Sequence, residues 1–69
     1  MKLINITTAA RLLGVNPGTL RRYETPDGVW TEIYGFRLRV YRIGFLPSSQ
    51  RRYNEDEIHR ILARMQKVR

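Results

Sequence analysis

The feature that most constrains this chain is a glycine followed closely by an Asn-Pro pair, which divides the N-terminal third into two short helical segments. Gly14 can adopt the left-handed backbone conformation that ends a helix. Asn16 is a favourable cap, and Pro17 suits the first helical position because its missing N–H needs no partner there. The sequence therefore predicts one helix over residues 7–13 and a second over residues 17–23.

These two predicted helices are typical of a helix-turn-helix. Thr7 is the expected cap of the first helix. Four apolar residues at helical spacing give that helix a face for the core: Ala9, Ala10, Leu12 and Leu13. The second helix carries Arg21 and Arg22, and in a helix-turn-helix it can enter the major groove of DNA. The alternative is a helical hairpin that only helps to build a small core.

The balance of charges favours a polyanionic partner. Thirteen Lys and Arg residues oppose six Asp and Glu residues, which gives a net charge of +7. No acidic residue lies between Glu32 and Glu55. That interval contains five arginines: Arg37, Arg39, Arg42, Arg51 and Arg52. Arginine suits bidentate contacts with phosphate or guanine. A basic surface that is merely solvated is the alternative, and a membrane surface is disfavoured because these arginines follow a strand pattern.

Residues 29–53 are predicted to form β-structure, with a turn or bulge at Gly35 and a loop tip at residues 47–49. From Arg37 to Tyr41, basic and apolar residues alternate strictly, so we expect the strand to slip or end near Tyr41. Residues 50–53 would return as a short paired strand. A β-hairpin rich in arginine is what a DNA-binding wing requires, because it can follow the backbone or enter the minor groove.

The clearest helix is predicted over residues 55–67. Asn54 is a favourable cap, and Glu57 three residues later completes the pattern of a capping box. Four residues form an apolar stripe that we expect to face the core: Ile58, Ile61, Leu62 and Met65. Near the middle of the chain, Trp30 follows a turn at residues 25–28 and is expected to be buried as a structural anchor.

No set of residues suggests catalysis, a metal site or a cofactor. The chain has no cysteine, and a single histidine, His59, is expected to be a partly exposed helix residue. The acids at the start of the last helix are expected to be capping residues, so we predict that the protein is not an enzyme. No apolar run approaches the roughly 20 residues that span a bilayer, and no signal peptide is visible. A cytoplasmic location is therefore expected, at the nucleoid if the chain binds DNA.

The residues Ile6–Glu24, ITTAARLLGVNPGTLRRYE, closely resemble the helix-turn-helix of the MerR superfamily. Arg51-Arg52-Tyr53, followed by Glu57-Ile58, resembles the end of the wing and the start of the third helix in that family. The resemblance implies one α+β winged helix-turn-helix domain over residues 1–69. The chain departs from the family between Thr25 and Gln50, where it is longer and has an additional candidate strand.

The resemblance also implies roles for individual residues. The residues that pack the helices would be Ala10, Leu13, Val15 and Leu20. The recognition-helix contacts to DNA would be Asn16, Thr19, Arg21, Arg22 and Tyr23. The contacts from the wing would be Arg37, Arg39, Arg42, Ser48, Ser49, Arg51 and Arg52. No cofactor, metal or small-molecule effector is expected.

A chain this short is most similar to the minimal members of the superfamily, from bacteria, plasmids or phages. The expected role is that of an excisionase-like recombination factor or a small transcriptional regulator. Its partners would be double-stranded DNA, further copies of itself in tandem or as a dimer, and an integrase or RNA polymerase. It is also similar to the DNA-binding domain of a larger regulator, a recombinase or a phage terminase small subunit.

An RNA-binding or protein-interaction module is the alternative from another class. Four aromatic side chains would then stack on unpaired bases: Tyr34, Phe36, Tyr41 and Phe45. The same residues serve equally well as the core of a small sheet. Preference for RNA over duplex DNA in a competition assay would distinguish the two interpretations.

Overall fold

The structure is a computed structural model that describes residues 1–42, 44 and 50–67. The elements follow in chain order: β1 (Leu3–Asn5), α1 (Ile6–Leu13), α2 (Pro17–Arg22), β2 (Trp30–Ile33), β3 (Phe36–Arg39), β4 (Tyr41–Arg42), β5 (Arg51–Asn54) and α3 (Glu55–Lys67). The described part of the chain is a small α+β unit with three helices and two antiparallel sheets. The predicted α+β class is confirmed at this level.

Helix α1 begins one residue earlier than predicted, and its cap is Asn5. The Asn5 Oδ1 atom accepts a hydrogen bond of 2.8 Å from the Thr8 backbone N–H. The predicted cap, Thr7, already lies in the first helical turn. Asn5 has extended dihedral angles and is the last residue of β1, so the strand leads directly into the helix.

The turn between α1 and α2 has the predicted chemistry. Gly14 ends α1 with a φ of 73°, in the left-handed region that glycine adopts at low cost. The Asn16 Oδ1 atom accepts from the Gly18 N–H at 2.9 Å, and Pro17 is the first residue of α2. The helix ends at Arg22, and Tyr23 is in the cap position.

Strands β2 and β3 form a hairpin with a two-residue turn. Tyr34 and Gly35 have φ values of 54° and 80°, as in the turns that match the twist of paired strands. The turn predicted at Gly35 is confirmed. The Tyr34 hydroxyl donates to the Leu13 carbonyl at 2.9 Å, which attaches the tip of the hairpin to the end of α1.

Trp30 is not the buried anchor that we expected. The inward positions of β2 are Thr31 and Ile33, which are buried, whereas Trp30 is only half-buried. Thr31 is fully buried, and its hydroxyl donates to the Leu20 carbonyl at 2.6 Å. Because side chains alternate along a strand, placing Thr31 in the core turns Trp30 to the other face.

The three-stranded sheet has β5 at its centre, with β1 on one side and β4 on the other. Ile4 lies opposite Tyr53, and Arg42 lies opposite Arg51. The described strands of the segment 29–53 therefore belong to two sheets instead of one wing. Strand β3 ends at Arg39 and β4 begins at Tyr41, in agreement with the break expected near Tyr41.

Helix α3 packs its apolar stripe as predicted. Ile58 and Ile61 are buried, and Leu62 and Met65 pack against the core. At its start, the Asn54 Oδ1 atom accepts from the Asp56 N–H at 3.0 Å.

Glu57, the second residue of the expected capping box, makes a contact outside α3. Glu57 Oε1 accepts from the Arg39 backbone N–H at 2.8 Å, so the carboxylate connects α3 to the end of β3. His59 is exposed, as expected, and its Nε2 atom lies 3.5 Å from Glu55 Oε1.

Candidate nucleic-acid interface

Helix α2 buries one side chain in the core and exposes its basic end. Leu20 is fully buried, whereas Arg21, Arg22 and Tyr23 are exposed. Thr19 is half-buried. The predicted contact residue Asn16 is exposed, but its side-chain oxygen is occupied as the cap of α2. The helix therefore presents two guanidinium groups and a phenol ring at the surface.

A cleft of about 400 Å³ brings together residues that are far apart in the sequence. Its walls are formed by the start of α1 with the residue before it, by α2, and by the start of β5 with the residue before it. The lining residues are Asn5, Ile6, Thr7, Arg21, Gln50, Arg51 and Arg52. Three of the predicted contact residues, Arg21, Arg51 and Arg52, thus lie around one concave surface.

Glu24 occupies the centre of an ion-pair cluster that was not predicted from the sequence. Arg51 Nε lies 2.6 Å from Glu24 Oε1, and Arg42 Nη2 lies 3.1 Å from Glu24 Oε2. The Glu24 side chain is only 12% exposed, and the hydrogen bond that it accepts raises the pKa of Arg51. Arg42 and Arg51 therefore hold β4 and β5 against the end of α2, a structural role that the prediction did not assign to them.

The cleft remains positively charged despite this cluster. One carboxylate serves two guanidinium groups at Glu24. Arg52 donates to the neutral Gln50 side-chain oxygen at 2.7 Å and to the Arg51 carbonyl at 3.0 Å, so these contacts leave its charge in place. Among the described carboxylates, none forms an ion pair with Arg21 or Arg52. An anionic group is the natural ligand of such a surface.

Arg37 and Arg39 lie on β3, outside the β4–β5 pair that carries the other predicted wing arginines. The Arg39 guanidinium lies 5.4 Å from the centroid of Trp30 and 5.7 Å from that of Tyr41, which are cation–π distances. Arg37 Nε is 3.9 Å from Glu32 Oε2, and both side chains are exposed. The predicted residues Ser48 and Ser49 lie outside the described residues.

Sequence signals existed for some of the residues that were missed. Asn5 is a common type of cap and precedes the predicted helix. Glu24 had no such signal, because its partners are 18 and 27 residues away.

Within the described ranges, no group of His, Cys, Asp and Glu side chains is arranged to hold a metal ion. None of the helices in that part of the chain has the length and apolar character needed to cross a bilayer. No family model matches the chain, and no curated protein or solved structure is similar to it at a significant level.

Proposed function

We propose that this chain is a non-enzymatic, double-stranded DNA-binding protein with a winged helix-turn-helix related to the MerR superfamily. Helices α1 and α2 are the helix-turn-helix, and α2 enters the major groove. The β4–β5 pair belongs to the wing, which lies on the adjacent backbone or minor groove. The observation that carries this proposal is the cleft that is lined both by Arg21 of α2 and by Arg51 and Arg52 of β5.

The cleft supports a duplex partner because it joins the two elements that would contact adjacent parts of DNA. Phosphates recur along both strands, so a helix seated in the major groove lies beside a row of anionic groups. Arg21 of α2 and Arg52 of β5 are the candidates for contacts with these phosphates. Arg22 and Tyr23, exposed at the end of the helix, are the candidates for contacts with base edges.

The biological role that we propose is recombination, as an excisionase-like factor, or transcription, as a small regulator. The charge of the chain and the resemblance to minimal MerR-type proteins support both roles. An excisionase-like factor bends its site, so gel-phasing measurements on DNA with the bound protein would separate it from a regulator that leaves the duplex straight.

The test of the proposal is selection of genomic duplex fragments by the purified chain at near-physiological salt, followed by sequencing. We expect an enriched motif that recurs at spacings set by the helical turn of DNA. Binding that is strong but has no motif would reduce the proposal to an architectural, charge-driven binder. No binding to duplex DNA would refute it.

One observation favours binding of unpaired bases as a second candidate function. Arg39 lies over the rings of Trp30 and Tyr41 on the surface of β2, β3 and β4, and bases stack on aromatic and guanidinium planes. In a competition assay, this function predicts that single-stranded RNA displaces duplex DNA, and that Trp30→Ala abolishes the displacement.

A further inference from the structure

A second concave surface lies between the hairpin and α3. It has a volume of about 450 Å³ and is lined by Phe36, Arg37, Glu57, Arg60, Ile61 and Arg64. None of these residues lines the cleft beside α2. We call this surface the α3 groove. Its apolar part is Phe36, which is half-buried, and Ile61, which is 5% exposed.

The rim of the α3 groove carries positive charge that the described residues do not neutralise. Arg60 and Arg64 are exposed and lie one turn apart on α3. None of the described carboxylates forms an ion pair with either of them. Like charges four residues apart destabilise a helix slightly, so this pair does not contribute to helix stability through its spacing.

Arg37 and Glu57 are the other two charged residues of the lining, and together they leave the groove with a net positive charge. Arg37 has only the exposed Glu32 carboxylate at 3.9 Å, and exposed pairs of this kind contribute little. Glu57 is the single acidic residue in the lining, and one of its oxygens already accepts the Arg39 N–H. Three guanidinium groups therefore surround a small apolar floor.

We propose that the α3 groove binds an acidic segment of a partner protein. An apolar side chain of that segment would pack on Phe36 and Ile61. Carboxylates on either side of it would meet Arg37, Arg60 and Arg64, whose forked donors match a carboxylate in two hydrogen bonds.

Charge complementarity selects an acidic occupant, and the apolar floor selects a peptide over a nucleic-acid backbone. A phosphate backbone would satisfy the arginines but would leave the exposed part of Phe36, whose other side packs on the core, in contact with water. Because the groove and the α2 cleft share no residue, this proposal does not depend on the proposed DNA-binding function.

The probe is a fluorescein-labelled synthetic peptide, EDLEDFLEDE, titrated with the full chain and followed by fluorescence anisotropy. A second peptide, EDSEDSSEDE, keeps the charge and removes the apolar side chains. The test variant is R60E/R64E. The matched control is R11E/R22E, which changes the net charge by the same amount at exposed arginines outside the groove. Thermal melts show whether each variant is folded. If R60E/R64E does not fold, R60Q/R64Q takes its place, because it removes the two charges without reversing them.

We expect R60E/R64E to weaken binding of the first peptide by on the order of tenfold, and R11E/R22E to change it much less. Chemical-shift changes on peptide addition should include the amides of Phe36 and Ile61. Equal losses in the two variants, or equal affinity for the two peptides, would overturn the proposal.

Duplex DNA binding of the same variants distinguishes a second DNA contact from a protein-docking groove. If the groove instead faces DNA, R60E/R64E will lower duplex affinity as much as R11E/R22E does, and the proposal fails. If neither variant alters duplex binding, the result argues against the proposed DNA-binding function. The peptide titration then still decides whether the α3 groove binds an acidic segment.

Discussion

Glu24 and Arg51 are 27 residues apart in the chain, and their side chains meet through two hydrogen bonds of 2.6 and 3.3 Å. The first residue follows the candidate recognition helix, and the second begins the central strand of the three-stranded sheet. This pair fixes the position of the sheet relative to α2. Because the Glu24 side chain is largely buried, the pair is less exposed to solvent screening than a surface ion pair.

Replacement of Glu24 by Gln is expected to destabilise the fold. Arg42 and Arg51 would lose their shared carboxylate, and hydrogen bonds to charged groups contribute about 1.5–3 kcal/mol each. We expect a decrease of about 2 kcal/mol in the free energy of unfolding, measured by urea denaturation. Glu32→Gln is the matched control, because it removes the same charge from an exposed pair at 3.9 Å and should cost under about 0.5 kcal/mol. Equal stability of the two variants would contradict the structural role of Glu24.

Arg22→Ala and Arg39→Ala should affect DNA binding in different ways. If Arg22 contacts base edges, its loss should cost about 1–3 kcal/mol and relax the sequence preference. If Arg39 contacts phosphate, its loss should weaken all sequences almost equally and reduce the salt slope by about 1. Both are measured by titrating selected and scrambled duplexes at several salt concentrations. Sequence-independent losses of equal size would refute this division of roles.

Thr31→Val should destabilise the packing of β2 against α2. The two side chains are similar in shape, but valine cannot donate to the Leu20 carbonyl, which accepts the Thr31 hydroxyl at 2.6 Å. Loss of a buried hydrogen bond is expected to lower the free energy of unfolding by about 1–3 kcal/mol. Thr7→Val, at an exposed position of α1, is the control and should change stability much less. Urea denaturation of both variants checks the prediction, and no difference between them would argue against it.

Tyr53 is expected to make the fold sensitive to alkali. Burial raises the pKa of its phenol to about 12, from an ordinary value of 10.0. The neutral phenol is thus favoured in the folded state, and its contribution to stability is fully present below pH 10. As pH rises from 10 to about 12, the unfolded chain ionises first and stability falls, by at most about 3 kcal/mol.

Tyr53→Phe is the control for this pH dependence. The Tyr53 hydroxyl is buried, and among the described groups it has no hydrogen-bond partner. Removal of the hydroxyl should therefore leave stability near neutral pH unchanged or slightly higher. Chemical denaturation from pH 8 to 11.5 should show a smaller loss in this variant than in the parent chain. The same alkaline loss in both would show that Tyr53 is not its source.

The helix boundaries and turns could be predicted because their signals lie between neighbouring residues. The Gly14 turn, the Asn16-Pro17 start of α2 and the apolar stripe of α3 each depend on residues within one or two helical turns. The one misplaced cap, Thr7 instead of Asn5, arose because a strand runs directly into α1.

The candidate site was predicted only in part. Arg21, Arg51 and Arg52 were selected from the sequence as candidate contacts, and the structure places them around one cleft. The sequence did not distinguish the arginines that face solvent from those that bind Glu24. An interval of sequence without acidic residues can still lie beside an acidic residue in the folded chain.

The sequence by itself determined the local elements of this protein: where α1 and α2 end, where the β2–β3 hairpin turns, and which face of α3 enters the core. Only the tertiary structure decided that Thr31 faces inward in place of Trp30, because strand register is set by packing against other elements. Only the tertiary structure brought Glu24 to Arg51 and placed Arg21 and Arg52 around the same cleft. Such pairs depend on the path of the chain between them, and no periodicity in the sequence encodes that path.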